Sequence, residues 1–154
     1  MIEVEIESPE WTAALEDAEE LAVRAAEAAL NGAETAGDVV VLLAGDADVA
    51  VLNAQYRGKP GPTNVLSFPS PESARPHLGD IALAYGVTAR EAAEQGKALA
   101  HHLMHLVAHG VLHLVGYDHE SDSEAETMEA LERRVLAGLG APDPYAPRAG
   151  ESDL

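Results

Sequence analysis

Five of the chain's seven histidines fall between Leu99 and Val115, and a sixth follows at position 119. Within this group His109 and His113 stand four residues apart. Residues four apart on a helix share one face and lie roughly 6 Å apart along its axis. Their imidazoles can therefore aim two nitrogens at one cation. Gly116 comes next, and glycine readily adopts the left-handed conformation that ends helices. The chain can turn back at that point and bring His119 to the same side as a third ligand. Three protein ligands with an open fourth position describe a catalytic zinc site, whereas structural sites are closed. Such a site offers a hydroxide nucleophile or a Lewis acid at neutral pH. Neutral imidazoles also suit nickel, copper and cobalt, so the spacing selects a transition metal without naming it.

The neighbouring residues divide by direction. His105 continues the four-residue stripe, but each such step drifts about 40° around the axis. It is thus placed to orient a ligand or a substrate group. His101 lies farther round and reads as surface or packing, and His102 points elsewhere, toward solvent. Asp118 either hydrogen-bonds a ligand imidazole or stabilises the turn. Asp80 reads as a structural hydrogen-bonding residue at a strand end, and Thr63 and Ser67 as sheet residues.

A scaffold must hold this stripe in place. Ile2, Val4 and Ile6 alternate with Glu3, Glu5 and Glu7, the period of a half-buried strand. Ser8-Pro9 opens an alanine-rich helix expected to run to about Leu30 and stop at Asn31-Gly32. The apolar run Val39–Leu43 predicts a central strand. Asp46 or Asp48 caps a short helix to about Tyr56, and a Pro/Gly loop leads to a strand over 64–68. A further strand is expected over 79–83 and a helix from Thr88 to about Gln95. The histidine helix after Gly96 is apolar nearly all round, hence buried. Ser121 and Glu124 form a capping-box pair for a last helix, whose apolar positions Ala125, Met128, Leu131, Val135 and Leu139 mark one packed face. The chain therefore reads as one α+β domain, residues 1–140. It has a roughly four-stranded mixed sheet, about five helices and a metal site on a buried helix in a zincin-like arrangement. Residues 141–154, with three prolines and no periodicity, read as a disordered tail.

Composition narrows the function. A chain of 154 residues can bury a real core. It is 47% hydrophobic but only 4% aromatic, so that core is aliphatic and alanine-rich. With no cysteine, disulfides, thiolate zinc ligands and thiol catalysis are excluded. No apolar run approaches a membrane span and the first residues form no signal peptide, which together point to a soluble, cytoplasmic protein with no membrane partner. The formal net charge of −18 leaves no basic footprint for a polyanion. Only Arg57 and Lys59 sit close together in a loop, so any RNA must be engaged locally or with a partner's help.

Two enzyme classes use such a site. The spacing His-x-x-x-His-x-x-Gly-x-x-His is the ligand skeleton of metzincin proteases. Those enzymes carry a general-base Glu directly after the first histidine, and here that position is Gly110. A metallopeptidase lacking its usual Glu is therefore the weaker reading. The stretch His109-Gly110 … Leu112-His113-Leu114 … Gly116-Tyr117-Asp118-His119 resembles the YbeY family of bacterial endoribonucleases, the rRNA maturation factors. Leu52-Asn53 … Tyr56-Arg57-Gly58-Lys59, Pro62–Pro69 and Leu78-Gly79-Asp80-Ile81 resemble its further signatures, and Met128 and Glu132 match its last helix. Asn64 departs from the Asp that many members carry.

This resemblance implies a single-strand-specific, zinc-dependent endoribonuclease that matures the 3′ end of small-subunit rRNA and serves ribosome quality control. Its partners would be single-stranded rRNA and ribosome or small-subunit assembly proteins. His109, His113 and His119 correspond to the metal ligands, with His109 and Arg57 in catalytic roles. Arg57 and Lys59 are the substrate contacts, and a guanidinium can meet phosphate oxygens bidentately. Tyr117 can stack on a base or pack against the histidine helix. A ribosome-assembly factor that uses the metal only to hold its fold is the non-enzymatic alternative.

Overall fold

The computed structural model describes residues 1–145. Strands β1 (Ile2–Ile6), β2 (Asp38–Ala44), β3 (Val65–Pro69) and β4 (His77–Ala84) form one sheet in the order β1-β2-β4-β3. β1, β2 and β4 run parallel, and β3 is antiparallel to β4. Around the sheet lie helices α1 (Glu10–Ala14), α2 (Ala18–Gly32), α3 (Asp46–Arg57), α4 (Tyr85–Gln95), α5 (Leu99–Leu114) and α6 (Asp122–Gly138). The mixed sheet and its position in an α+β chain are as expected.

β2 explains its own apolar run. Val39, Val41 and Leu43 enter the main core, while Leu42 and Ala44 join a second cluster with Val49, Leu52 and Leu66 on the opposite face. A strand buried on both faces has no polar positions to alternate with. Within the main core, Ala18, Ala22, Ala25, Ala26 and Ala29 of α2 are fully buried. Their small side chains leave room for α5, which packs along α2 and buries Leu103, Val107, Val111 and Leu112. The site helix is thus fixed by close packing to both the sheet and α2.

Four local expectations change. Gly45, not Asp46 or Asp48, is the N-cap of α3, and Asp46 Oδ1 instead accepts from Val87 N at 3.0 Å. The first helix is two: Leu15 is extended at φ −136° and ψ 105°, and α2 begins only at Ala18. Trp11 is fully buried and its Nε1 donates to Ala44 O at 2.9 Å. The break lets α1 seat this ring at the end of β2 while α2 turns its alanine face inward. α4 starts at Tyr85, three residues before Thr88. Thr88 is an interior residue whose Oγ1 donates to Ala84 O at 2.7 Å, so it is not a cap. The segment expected to be a tail from residue 141 also packs: Ala141 and Pro144 are buried, and Tyr145 Oη donates to Glu132. Residues 146–154 of that expected tail lie outside the described residues. No helix among the described residues is long and apolar enough to cross a membrane.

Candidate metal centre

α5 ends as the glycine predicts. Gly116 has φ 105°, and two hydrogen bonds close the turn: Tyr117 N to Leu112 O at 3.0 Å and Gly116 N to His113 O at 3.2 Å. This pair of bonds is the Schellman motif, which satisfies carbonyls left open by the last turn. Asp118 Oδ1 then accepts from His119 N at 2.8 Å and stiffens the next step. This bond serves the turn, one of the two roles expected for Asp118. The result brings His119 back over α5. One nitrogen from each of His109, His113 and His119 lies within 4.8 Å of the others.

The donor set fits a transition-metal ion. His109 Nε2 and His113 Nε2 stand 3.1 Å apart. Two nitrogens on one tetrahedral zinc, each ~2.0–2.1 Å from it, are about 3.3 Å apart. Burial, then the neighbouring His109 and His119, push the His113 pKa below its ordinary value. This keeps a lone pair available for a cation. The far nitrogen of His109, Nδ1, faces Glu132 Oε1 at 3.2 Å. A carboxylate there fixes the tautomer, with Nδ1 protonated and Nε2 free to ligate.

Glu132 is the main residue that the spacing of the histidines does not reveal. Its side chain is 1% exposed. His105 Nε2 donates to Oε1 at 2.7 Å, and Tyr145 Oη reaches both carboxylate oxygens at 2.9 and 3.0 Å. Burial alone would push the carboxyl pKa up, but the hydrogen bonds from His105 and His109 outweigh it and hold the group at about 2. His105 thus reaches the site by bracing the carboxylate that orients His109. The available signal was a Glu four residues after Met128 on the otherwise apolar face of α6. Tyr145 carried no signal at all, because it stands in a segment without periodicity.

A cleft of about 590 Å³ opens beside the triangle, lined by the three histidines, Arg57, Asn64, Ser67, Tyr117 and Asp118 among others. Arg57 is the last residue of α3, and its Nη2 donates to Ser67 O at 3.1 Å. The chain then turns through Gly58 at φ 64°, which carries the exposed Lys59 away from the cleft lining. Tyr117 packs partly buried against the main core. Asp80 pairs with His77 at 3.1 Å on β4, a structural contact. Gly110 is buried under the sheet: a Cβ there would come within 3.1 Å of Ile81 and 3.3 Å of Ser67 Oγ. Ser67 Oγ donates to Gly110 O at 3.2 Å. The glycine is where α5 and β3 make their close approach.

His102 differs from expectation. It is 3% exposed, and its Nε2 donates to Glu91 Oε1 at 3.0 Å. α4 packs against α5 on that side and takes the place that solvent was expected to fill. Burial is the largest effect on this ring, and it lowers the pKa despite Glu91.

The family model described as "Endoribonuclease YbeY" matches residues 3–140. The chain is 63% identical over 111 residues to the endoribonuclease YbeY of Maricaulis maris (strain MCS10), covering 72% of this chain and 69% of that one. It is 56% identical over 146 residues to the endoribonuclease YbeY of Rhodopseudomonas palustris (strain BisA53), covering 88% and 84%. Among solved structures, the solution structure of TM1509 from Thermotoga maritima is similar with a TM-score of 0.57 and 26% identity, over 95% of this chain and 99% of that one.

Proposed function

The chain belongs to the endoribonuclease YbeY family, and we propose that it is a zinc-dependent endoribonuclease cleaving single-stranded RNA in the maturation of small-subunit rRNA. The observation that carries this reading is one cleft shared by an imidazole triangle and a guanidinium. His109, His113 and His119 would hold the metal, which when bound supplies Lewis acidity and positive charge to a phosphodiester. Arg57, across the cleft, meets the non-bridging oxygens where charge builds during cleavage. Its hydrogen bond to Ser67 O keeps the fork at the rim. Glu132 holds the His109 ring and its proton on Nδ1. Lys59, exposed and outside the cleft lining, serves a more distant phosphate of the strand. Unpaired bases splay readily, and single-stranded RNA is what such clefts commonly read. A peptidase would need a general base beside the first histidine, and Gly110 packed on Ile81 offers none.

The test is cleavage of single-stranded and duplex RNA by zinc-loaded and chelated protein. Single-stranded cleavage should require the metal, and casein should remain intact. Arg57→Ala should lower kcat/KM about 100- to 1,000-fold with an unchanged melting temperature. Cleavage surviving Arg57→Ala, together with His113→Ala failing to fold, would favour the assembly-factor reading and sink this one.

A further inference from the structure

A second cavity, about 360 Å³, adjoins the metal cleft, and Asn64, Val65 and His109 line both. Its remaining walls are chemically unlike the first. Glu91, Gln95 and Lys97 stand on one side, with Leu106 and the Tyr145 ring among the less polar surfaces. Resting on the endoribonuclease reading above, we infer that this cavity is a binding site for one unpaired nucleobase bearing an exocyclic amino group, next to the phosphodiester that is cut.

Charge decides which part of a nucleotide goes where. A phosphate is drawn to Arg57 in the first cleft; in the second Glu91 repels it, and the lining cation Lys97 is engaged with Pro144 O. The aminobase is the part that a carboxylate accepts, as Glu and Asp accept from the cytosine amino group. Glu91 is held ready for this: Oε1 accepts from His102 Nε2 at 3.0 Å and from Asn64 Nδ2 at 3.1 Å. Among the described residues, Oε2 has only a longer contact to Asn64 Nδ2, at 3.4 Å. A carboxylate has about four acceptor positions, so Oε2 keeps room for an amino donor. The side chain is 30% exposed and therefore reachable. Lys97 Nζ donates to Pro144 O at 2.9 Å and has two further donors for a base carbonyl. Tyr145, 37% exposed as a residue, has Arg133 Cζ 5.2 Å from its ring centroid and gives the cavity an aromatic wall for the base. Uracil presents a carbonyl where the other bases present the amino group, so it places oxygen against Glu91. Only a base out of a duplex can enter. Such a pocket lets a chain of net charge −18 hold RNA with few cations: by a base, with Arg57 for the phosphate that is cut and Lys59 for a more distant one.

The experiment uses the full zinc-loaded chain and two probes, cytidine and uridine 5′-monophosphate, followed by amide shifts in an NMR titration. Cytidine monophosphate should bind at least about fivefold tighter, the lower end of one good base contact, with shifts over 91–97 as well as at Arg57. Glu91→Gln should bring the two probes within about twofold of each other. Gln95→Phe, which fills the cavity and leaves Glu91 in place, should weaken cytidine monophosphate and spare inorganic phosphate at Arg57. Equal binding of the two probes, shifts confined to the first cleft, or a preference that survives Glu91→Gln would each overturn the assignment. Selective binding by a chain that cuts no RNA would defeat the endoribonuclease reading and leave the pocket standing. Cleavage with no base preference beside the cut would do the reverse.

Discussion

At the scale of the residue, the candidate metal centre is backed by a buried carboxylate. Glu132 has its desolvation offset by donors from three side chains, His105, His109 and Tyr145. Oriented carboxylates behind ligand histidines commonly change metal affinity 10- to 100-fold. Glu132→Gln should therefore weaken zinc binding by about that range, and Tyr145→Phe by about tenfold at the lower end. Competition against a chromophoric chelator measures both; wild-type affinity in the two variants would remove Glu132 from the metal site's support. Protonation gives a second prediction. His102 and His113 have folded pKa values below the ordinary 6.5. The unfolded chain then binds these protons first, so stability is full above pH 6.5 and is lost as pH falls below it. Glu132 acts in a lower window, its contribution present above 4.5 and lost toward about pH 2. Urea unfolding of metal-free protein between pH 7 and 5 should show the first loss, and His102→Gln should flatten it. An unchanged slope in that variant would show that the ring titrates freely.

At the scale of the element, the end of α5 matters most. His119 is a candidate ligand only because the helix stops at Val115 and Gly116 takes φ 105°. An L side chain in left-handed backbone costs about 1–2 kcal/mol, and the Schellman bonds are local to this turn. Gly116→Ala should lose about 1–2 kcal/mol in urea unfolding and bind zinc more weakly than stability alone accounts for. A variant with native zinc affinity would mean that the turn does not set the third ligand. Some helix boundaries are legible in the sequence and others are not. Glycine at a helix stop and Ser121 at a helix start act through bonds within a few residues, so spacing reports them. The α1–α2 break and the early start of α4 answer to the Trp11 seat and to Ala84, which are fixed by the sheet.

At the scale of the whole molecule, the net charge of −18 and the proposed metal site each give an expected behaviour in solution. Single-stranded RNA held mainly by a base and one arginine releases few counterions. The slope of log affinity against log salt should be no steeper than about −2, at roughly −0.7 per phosphate neutralised. A slope near −5, from fluorescence anisotropy between 50 and 200 mM salt, would require more phosphate contacts than Arg57 and Lys59 supply. Zinc that binds only the folded chain should add about 4 kcal/mol when present at a thousand times its dissociation constant. Chelation should lower the melting temperature accordingly, and a midpoint indifferent to chelator would argue against a folded-state site.

The sequence by itself determined the histidine triangle, because the three side chains lie on one helix and the turn that ends it. It also determined β1, which the two-residue period carries, β2, which its unbroken apolar run carries, and the aliphatic core, which composition carries. Only the tertiary structure decided what stands behind the triangle. Glu132 is 23 residues from His109, Tyr145 is 40 from His105, and Glu91 is 11 from His102 on another helix. No local period links such pairs. Their meeting depends on how α4, α6 and the segment at 141–145 pack around α5, and that packing is a property of the whole core.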